Sequence, residues 1–135
     1  MNETDSGRRG PLTLRVLVAD PHDDTRSMYA EALAFAGCEV IQAADGGDAL
    51  DKALLHEPRL VITETRLPLV DGYTLCESLR REPATRDVPI LVITAEARDE
   101  QVARARAAGA DVVLTKPVDP EVVLVAVRRL LTQRT

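Results

Sequence analysis

The sequence contains very few aromatic residues. Phe35, Tyr29 and Tyr73 are the aromatic residues among 135, or 2% of the chain, and there is no Trp. With so little aromatic surface, stacking on nucleobases or gripping of sugars is not expected. The core must therefore be built from Val, Leu, Ile and Ala, whose small or branched side chains suit closely packed strands and helices.

Cysteines and long apolar segments are also scarce. The two cysteines, Cys38 and Cys76, form no CxxC motif and pair with no histidine, which argues against a disulfide framework or a metal site built on thiolates. No apolar run reaches the roughly 20 residues that a membrane-spanning helix needs. These shortages favour a globular domain away from the membrane.

The chain also lacks a strong basic character. Its net charge is −5, with arginines and acids interspersed, so no nucleic-acid partner is expected. Residues 1–11 are polar and have no apolar segment of the kind found in secretory signals. We expect residues 1–12 to form a disordered tail, residues 13–133 to form one domain, and the protein to be cytoplasmic.

Five apolar runs alternate with stretches of helical periodicity. The runs predicted as strands are residues 14–19, 40–43, 60–63, 90–93 and 112–115. Because these runs are apolar on both faces, they indicate a parallel sheet covered by helices on both sides. Alternating strand–helix units with short connections predict an α/β fold with an open, doubly wound sheet, since five units cannot close an eight-stranded barrel.

Local signals predict where the helices begin and end. The first helix is predicted over residues 25–36, with Asp23 and Asp24 in its first turn, where they complement the helix dipole, and with Gly37 ending it. A fourth helix is predicted over residues 99–108. The last helix is predicted to use Asp119 as its N-cap and to bury a set of apolar residues, namely Val122, Val123, Ala126, Val127 and Leu130.

Polar residues end four of the predicted strands. Asp20 follows the first, Glu64 the third, Thr94 the fourth and Lys116 the fifth. In open parallel sheets the carboxyl ends of the strands meet at one edge, and ligands bind there. Two carboxylates, a hydroxyl and an ammonium on one edge predict a pocket for an anion or a cation.

The motifs around these residues resemble those of response-regulator receiver domains, the phosphoacceptor modules of two-component signalling. The matching segments occur in order over about residues 14–132: Leu17-Val18-Ala19-Asp20 with Arg26, Leu67-Pro68-Leu69-Val70-Asp71-Gly72, Pro89-Ile90-Leu91-Val92-Ile93-Thr94-Ala95, and Ala108-Gly109-Ala110-Asp111 with Thr115-Lys116-Pro117. The resemblance implies a flavodoxin-like (βα)5 sheet with strand order 2-1-3-4-5.

The resemblance also implies roles for individual residues. In such domains an acidic pair after the first strand holds Mg²⁺, an aspartate at the end of the third accepts phosphate, a Thr or Ser after the fourth binds phosphoryl oxygens, and a lysine after the fifth pairs with them. Asp20, Thr94 and Lys116 match these positions, and the Lys116–Pro117 bond is expected to be cis.

Two departures from the family pattern bear on phosphotransfer. Glu64 stands at the acceptor position, and its extra methylene moves the carboxylate outward by about 1.5 Å, which matters because phosphoryl transfer depends mainly on positioning. Pro21 replaces the second member of the acidic pair and so removes a charge and a ligand. Mg²⁺ is therefore expected to bind weakly if it binds, with Asp20 a vestigial ligand.

Two further positions bear on signalling. Val113 stands where receivers often carry a Tyr or Phe that moves inward on activation, so this switch is expected to be absent or muted. Arg66 either neutralises the acids of the pocket or points to solvent. With the metal and the switch weakened, Glu64 is expected to contact Lys116, and Thr94 as well, in an arrangement that imitates part of the phosphorylated network.

The resulting hypothesis is a single-domain atypical response regulator that works as a phosphorylation-independent interaction module and is not an enzyme. Its protein partner, a histidine kinase or a downstream signalling protein, would dock on the face of helix 4, strand 5 and helix 5, unless the arginines there serve solubility alone: Arg98, Arg104, Arg106 and some of Arg128, Arg129 and Arg134. A working receiver in a phosphorelay and a small-molecule sensor remain alternatives. A small enzyme using Glu64 and Lys116 as acid and base is disfavoured, because no phosphate loop, nucleophile elbow or metal triad is present.

Overall fold

The computed structural model describes residues 14–133, which form five strands and five helices in strict alternation. The predicted tail over residues 1–12 and the predicted docking residue Arg134 lie outside this range. In chain order the elements are β1 Arg15–Ala19, α1 Asp23–Phe35, β2 Glu39–Ala43, α2 Gly46–His56, β3 Leu60–Thr63, α3 Gly72–Arg81, β4 Ile90–Thr94, α4 Asp99–Ala108, β5 Val112–Thr115 and α5 Pro120–Gln133.

The five strands form one parallel sheet in the order β2-β1-β3-β4-β5. This confirms the predicted doubly wound, flavodoxin-like arrangement. The three central strands are buried on both faces, as their continuous apolar sequences predict.

Two cores lie on opposite faces of the sheet. One packs the sheet against α2, α3 and α4, around Leu17, Val61, Leu75 and Leu79. The other packs it against α1 and α5, around Leu33, Ile62, Ile93, Val123 and Leu130. None of the helices within residues 14–133 has both the length and the apolar character needed to cross a membrane.

The predicted helix boundaries lie within two residues of the observed ones. Helix α1 begins at Asp23, two residues before the predicted start, so Asp23 and Asp24 are part of its first turn. The predicted burial of Val122 is wrong, because this side chain is 46% exposed. Helix α5 buries Val123, Val127 and Leu130, which share one face, and Val122 lies about 100° away from Val123 around the helix axis.

Candidate functional site

The four polar residues predicted to converge do lie together at the carboxyl edge of the sheet. Backbone hydrogen bonds hold three of them one residue beyond a strand: the Asp20 amide donates to Ala43 at 3.1 Å, that of Glu64 to Ala19 at 3.0 Å and that of Lys116 to Thr94 at 2.8 Å. The side chains of Asp20, Glu64 and Thr94 are almost fully buried. The parallel ladders therefore bring residues that are far apart in sequence into one pocket.

The Lys116 ammonium joins the two carboxylates. Its Nζ lies 2.8 Å from Asp20 Oδ2 and 2.8 Å from Glu64 Oε1. Burial by itself would lower the pKa of Lys116, but the hydrogen bonds and charges of Asp20 and Glu64 raise it above its ordinary value. The predicted contact between Glu64 and Lys116 is thus confirmed, and the three side chains form what we call the Asp20–Lys116–Glu64 triad.

The second carboxylate oxygen of Glu64 is bound by its neighbour in sequence. Glu64 Oε2 accepts a hydrogen bond from the Thr65 amide at 2.7 Å and another from the Thr65 hydroxyl at 3.1 Å. Burial alone would raise the pKa of Glu64, yet the hydrogen bonds from Lys116 and Thr65, with the nearby Thr94 hydroxyl, lower it below its ordinary value. Glu64 is therefore ionised at neutral pH.

Both oxygens of the Asp20 carboxylate are also engaged. Oδ1 accepts a hydrogen bond from the His22 amide at 2.9 Å and lies 3.3 Å from Nδ1 of the His22 ring, while Oδ2 faces Lys116. Arg26 donates to the Asp20 carbonyl at 2.9 Å, which holds the start of α1 against the end of β1. His22 was not among the residues predicted for the site, because a lone histidine outside any motif gives no signal in the sequence.

Thr65 is a second residue that the sequence argument missed. Its hydroxyl lies 2.9 Å from that of Thr94, so Thr65 stands between Thr94 and Glu64. Thr94 in turn accepts a hydrogen bond from the Glu96 amide at 3.0 Å. The only signal that the sequence offered was a hydroxyl side chain directly after the acceptor position.

Arg66 points to solvent, the second of the two positions expected for it, and its side chain is 77% exposed. Its guanidinium does not enter the pocket but pairs with Glu96, with Nη2 and Nε at 2.8 and 3.1 Å from Oε2. The Tyr73 hydroxyl donates to the other Glu96 oxygen at 3.4 Å, and the Arg104 guanidinium lies 3.9 Å above the Tyr73 ring. These contacts join the loops after β3 and β4 to α3 and α4.

Three further features of the site concern the Lys116–Pro117 bond, Val113 and Gly72. The Lys116–Pro117 bond is cis, as expected. Val113 is partly buried and packs into the core on the side of α2, α3 and α4. It stands at the position where receivers often carry an aromatic residue. A Cβ on Gly72 would overlap the Glu64 carbonyl oxygen and lie 2.7 Å from Thr65 Cα, so glycine is required where α3 begins.

Within residues 14–133, no three His, Cys, Asp or Glu side chains are grouped so that they could hold a metal ion. Asp20 and Glu64 are the carboxylates nearest to such a role, and both are bound to Lys116. Cys76 is not expected to react as a thiolate, because burial raises the pKa of its thiol to about 12.

Comparison with known proteins agrees with this geometry. RpaA of Synechocystis sp. strain PCC 6803, described as a DNA-binding dual master transcriptional regulator, is 38% identical over 117 residues, which are 87% of this chain and 48% of that protein. The chain therefore spans about half the length of this relative. Protein PilG of Pseudomonas aeruginosa is 31% identical over 115 residues, covering 85% of each chain.

Solved structures give the same result. The chemotaxis response regulator CheY4 of Vibrio cholerae superposes with a TM-score of 0.83 at 32% identity, covering 87% of this chain and 98% of that one. The family model of the response regulator receiver domain matches residues 16–128. The chain therefore belongs to the response regulator receiver domains, the receiving modules of two-component signalling.

Proposed function

We propose that this receiver domain signals without phosphorylation of Glu64, as a protein-interaction module that docks through the face formed by α4, β5 and α5. The observation that carries the proposal is the Asp20–Lys116–Glu64 triad. Lys116, which by family analogy pairs with an incoming phosphoryl group, is already bound to two carboxylates at 2.8 Å. The permanent negative charge of the Glu64 carboxylate thus takes the place of the transient negative charge of a phosphoryl group.

The donor groups at this edge do not fit a divalent cation. Mg²⁺ prefers near-octahedral oxygen ligands, with one or two carboxylates and several waters. Here Pro21 supplies no side-chain donor, and the oxygens of Asp20 and Glu64 accept hydrogen bonds from Lys116, His22 and Thr65. A cation would have to displace the ammonium from both carboxylates, so no step of the proposed function uses one.

The position of the Glu64 carboxylate supports the same proposal. Phosphoryl transfer depends on in-line positioning and on charge neutralisation, and a displacement of about 1.5 Å disturbs the first requirement. The hydrogen bonds from Thr65 and Lys116 occupy both oxygens of Glu64 and so make them poorer nucleophiles. Attack on a phosphodonor would break contacts that stabilise the buried charge.

The face of α4, β5 and α5 has the character of a protein-docking surface. Val122 and Val125 are 46% and 51% exposed, and with Val112 and Leu114 they line a groove of about 260 Å³. Arg129 lines it as well, and further exposed arginines lie on or next to α4 and α5: Arg98, Arg106 and Arg128. An apolar centre with a charged rim is typical of protein interfaces and argues against a role of these arginines in solubility alone.

A phosphorylation assay tests the proposal. The protein is incubated with Mg²⁺ and acetyl phosphate, and its intact mass is measured against that of Glu64→Asp, which restores the shorter side chain. No mass increase is expected for the native protein. A gain of one phosphoryl group that maps to Glu64 would refute the proposal and establish the alternative, a working receiver in a phosphorelay.

A further inference from the structure

A continuous set of contacts leads from Glu64 to helix α4. The Thr65 hydroxyl bonds to Glu64 Oε2 and to the Thr94 hydroxyl, and Thr94 accepts from the Glu96 amide. The Glu96 carboxylate then receives the Tyr73 hydroxyl, and the Tyr73 ring lies under Arg104. We call the four intermediate residues the hydrogen-bond relay: Thr65, Thr94, Glu96 and Tyr73.

The charge of Glu64 determines which way the first hydroxyls of the relay point. An ionised carboxylate only accepts hydrogen bonds, so the Thr65 hydroxyl must donate its one proton to Glu64. Thr65 can then only accept from Thr94, which donates its own proton to Thr65. The Thr94 oxygen is left to accept from the Glu96 amide. Each bond therefore polarises the next in the same sense, and the sense is set by Glu64.

Burial prevents water from replacing these partners. Thr65 and Thr94 are 2% and 1% exposed, and both lie between the ends of β3 and β4. A buried hydroxyl that loses its partner retains the full cost of desolvation, so the neighbouring groups must move to restore a hydrogen bond. The loop between Thr94 and Asp99, which leads into α4, is mostly exposed, and we expect the movement there.

We propose that Thr65 is the positioning residue through which the Glu64 carboxylate holds the loop before α4 and, through Glu96 and Tyr73, the guanidinium of Arg104. The inference rests on the proposed function, since it describes how the fixed charge of Glu64 affects the docking face. It assigns to Thr65 and Tyr73 the coupling between pocket and face that an aromatic residue at Val113 would otherwise supply.

Two proton signals in the NMR spectrum report on the two ends of the relay. The Glu96 amide proton reports the hydrogen bond to Thr94. The Arg104 guanidinium carbon lies 3.9 Å from the centre of the Tyr73 ring. The Arg104 Nε proton is therefore expected upfield of the Arg106 Nε proton, because the ring current shields it. Thr65→Val removes the hydroxyl and keeps the shape of the side chain. It should shift the Glu96 amide signal and bring the chemical shift of the Arg104 Nε proton closer to that of Arg106.

The controls separate a relay from a general packing defect. Thr63→Val removes another buried hydroxyl beside Glu64. The Thr63 hydroxyl donates to the Glu64 carbonyl at 2.9 Å and is not part of the relay, so this variant should leave both signals in place. Thr65→Ser keeps the hydroxyl and should retain the native signals. If Thr65→Val shifts the two signals no more than Thr63→Val does, the proposal is wrong.

A second variant keeps the test decisive should Thr65→Val fail to fold. Glu64→Gln keeps the length of the side chain but removes the charge that orients Thr65, so both signals should shift in it as well. Unchanged signals in Glu64→Gln would overturn the proposal. No phosphodonor or partner enters these measurements, so their result is independent of whether Glu64 can be phosphorylated.

Discussion

The buried charges of the site depend on one another. Two carboxylates that are nearly inaccessible to water would repel each other strongly in isolation, and the single ammonium of Lys116 between them makes the arrangement possible. Breaking a buried ion pair by removing one partner is costly, because the remaining charge is left desolvated. The triad thus ties the ionisation of Glu64 to the stability of the fold.

The stabilising effect of Glu64 should depend on pH in a defined direction. Its folded-state pKa is lowered, so its contribution is present above the unfolded value of about 4.3 and is lost as the pH falls through the folded value. The pKa of Lys116 is raised, so its contribution is present below about 10.4 and is lost as the pH rises through the folded value. We expect Glu64→Gln to lower the free energy of unfolding by about 1.5–3 kcal/mol at pH 7 and by much less at pH 3.

Urea denaturation of the native protein and the variant at both pH values measures this difference. Glu31→Gln, at an exposed glutamate on α1, is the matched control and should change the free energy of unfolding by no more than about 0.5 kcal/mol at either pH. An equal effect of Glu64→Gln at pH 3 and pH 7 would show that the carboxylate charge does not stabilise the fold.

At the scale of the elements, close backbone contacts hold the loops of the site. The start of α2 packs against the loop after β3, where a Cβ on Gly46 would overlap the Val70 carbonyl oxygen. In the same loop Leu69 has a φ of 69°, an unusual value for a residue with a branched side chain. The loop that follows Glu64 and Thr65 is therefore confined by α2 on one side and by Gly72 of α3 on the other.

Two neighbouring glycines of α2 provide a matched test of this contact. Gly46→Ala should destabilise the protein by about 1–3 kcal/mol, because the new methyl group forces α2 away from Val70. Gly47→Ala meets its nearest atom, Asp45 Oδ1, at 3.4 Å and should instead be neutral or stabilise by up to about 1 kcal/mol through helix propensity. Thermal unfolding of both variants measures the difference, and equal effects would contradict the contact.

For the molecule as a whole, the site lies at the carboxyl edge of the sheet, and the apolar groove of the proposed docking face is lined by β5 and α5. Val125→Glu places a charge in the apolar groove and should abolish capture of the partner without changing the fold, since Val125 is half exposed. The comparison uses immobilised native and variant proteins, with bound proteins identified by mass spectrometry.

The control for this experiment is a similar exchange outside the face. Phe35→Glu, at a residue of α1 that is 96% exposed, should leave capture unchanged. Glu64→Ala should reduce capture as Val125→Glu does, because it removes the fixed charge that the docking face is proposed to depend on. Capture that survives both Val125→Glu and Glu64→Ala would place the interaction on another surface.

The sequence by itself determined the architecture and the members of the pocket. Apolar runs, glycines and prolines specify strands and helices through local periodicity, and parallel strands must bring their carboxyl ends together, so Asp20, Glu64, Thr94 and Lys116 could be named in advance. The contact of Glu64 with Lys116 followed from their opposite charges at that edge.

Only the tertiary structure decided how the polar groups pair. That Lys116 bridges both carboxylates, that Arg66 pairs with Glu96, and that Thr65 stands between Glu64 and Thr94 depends on distances of about 3 Å between loops from different strands. Neither periodicity nor residue type fixes such distances, because long side chains have several partners within reach. The packing of the loops around the pocket selects one of them.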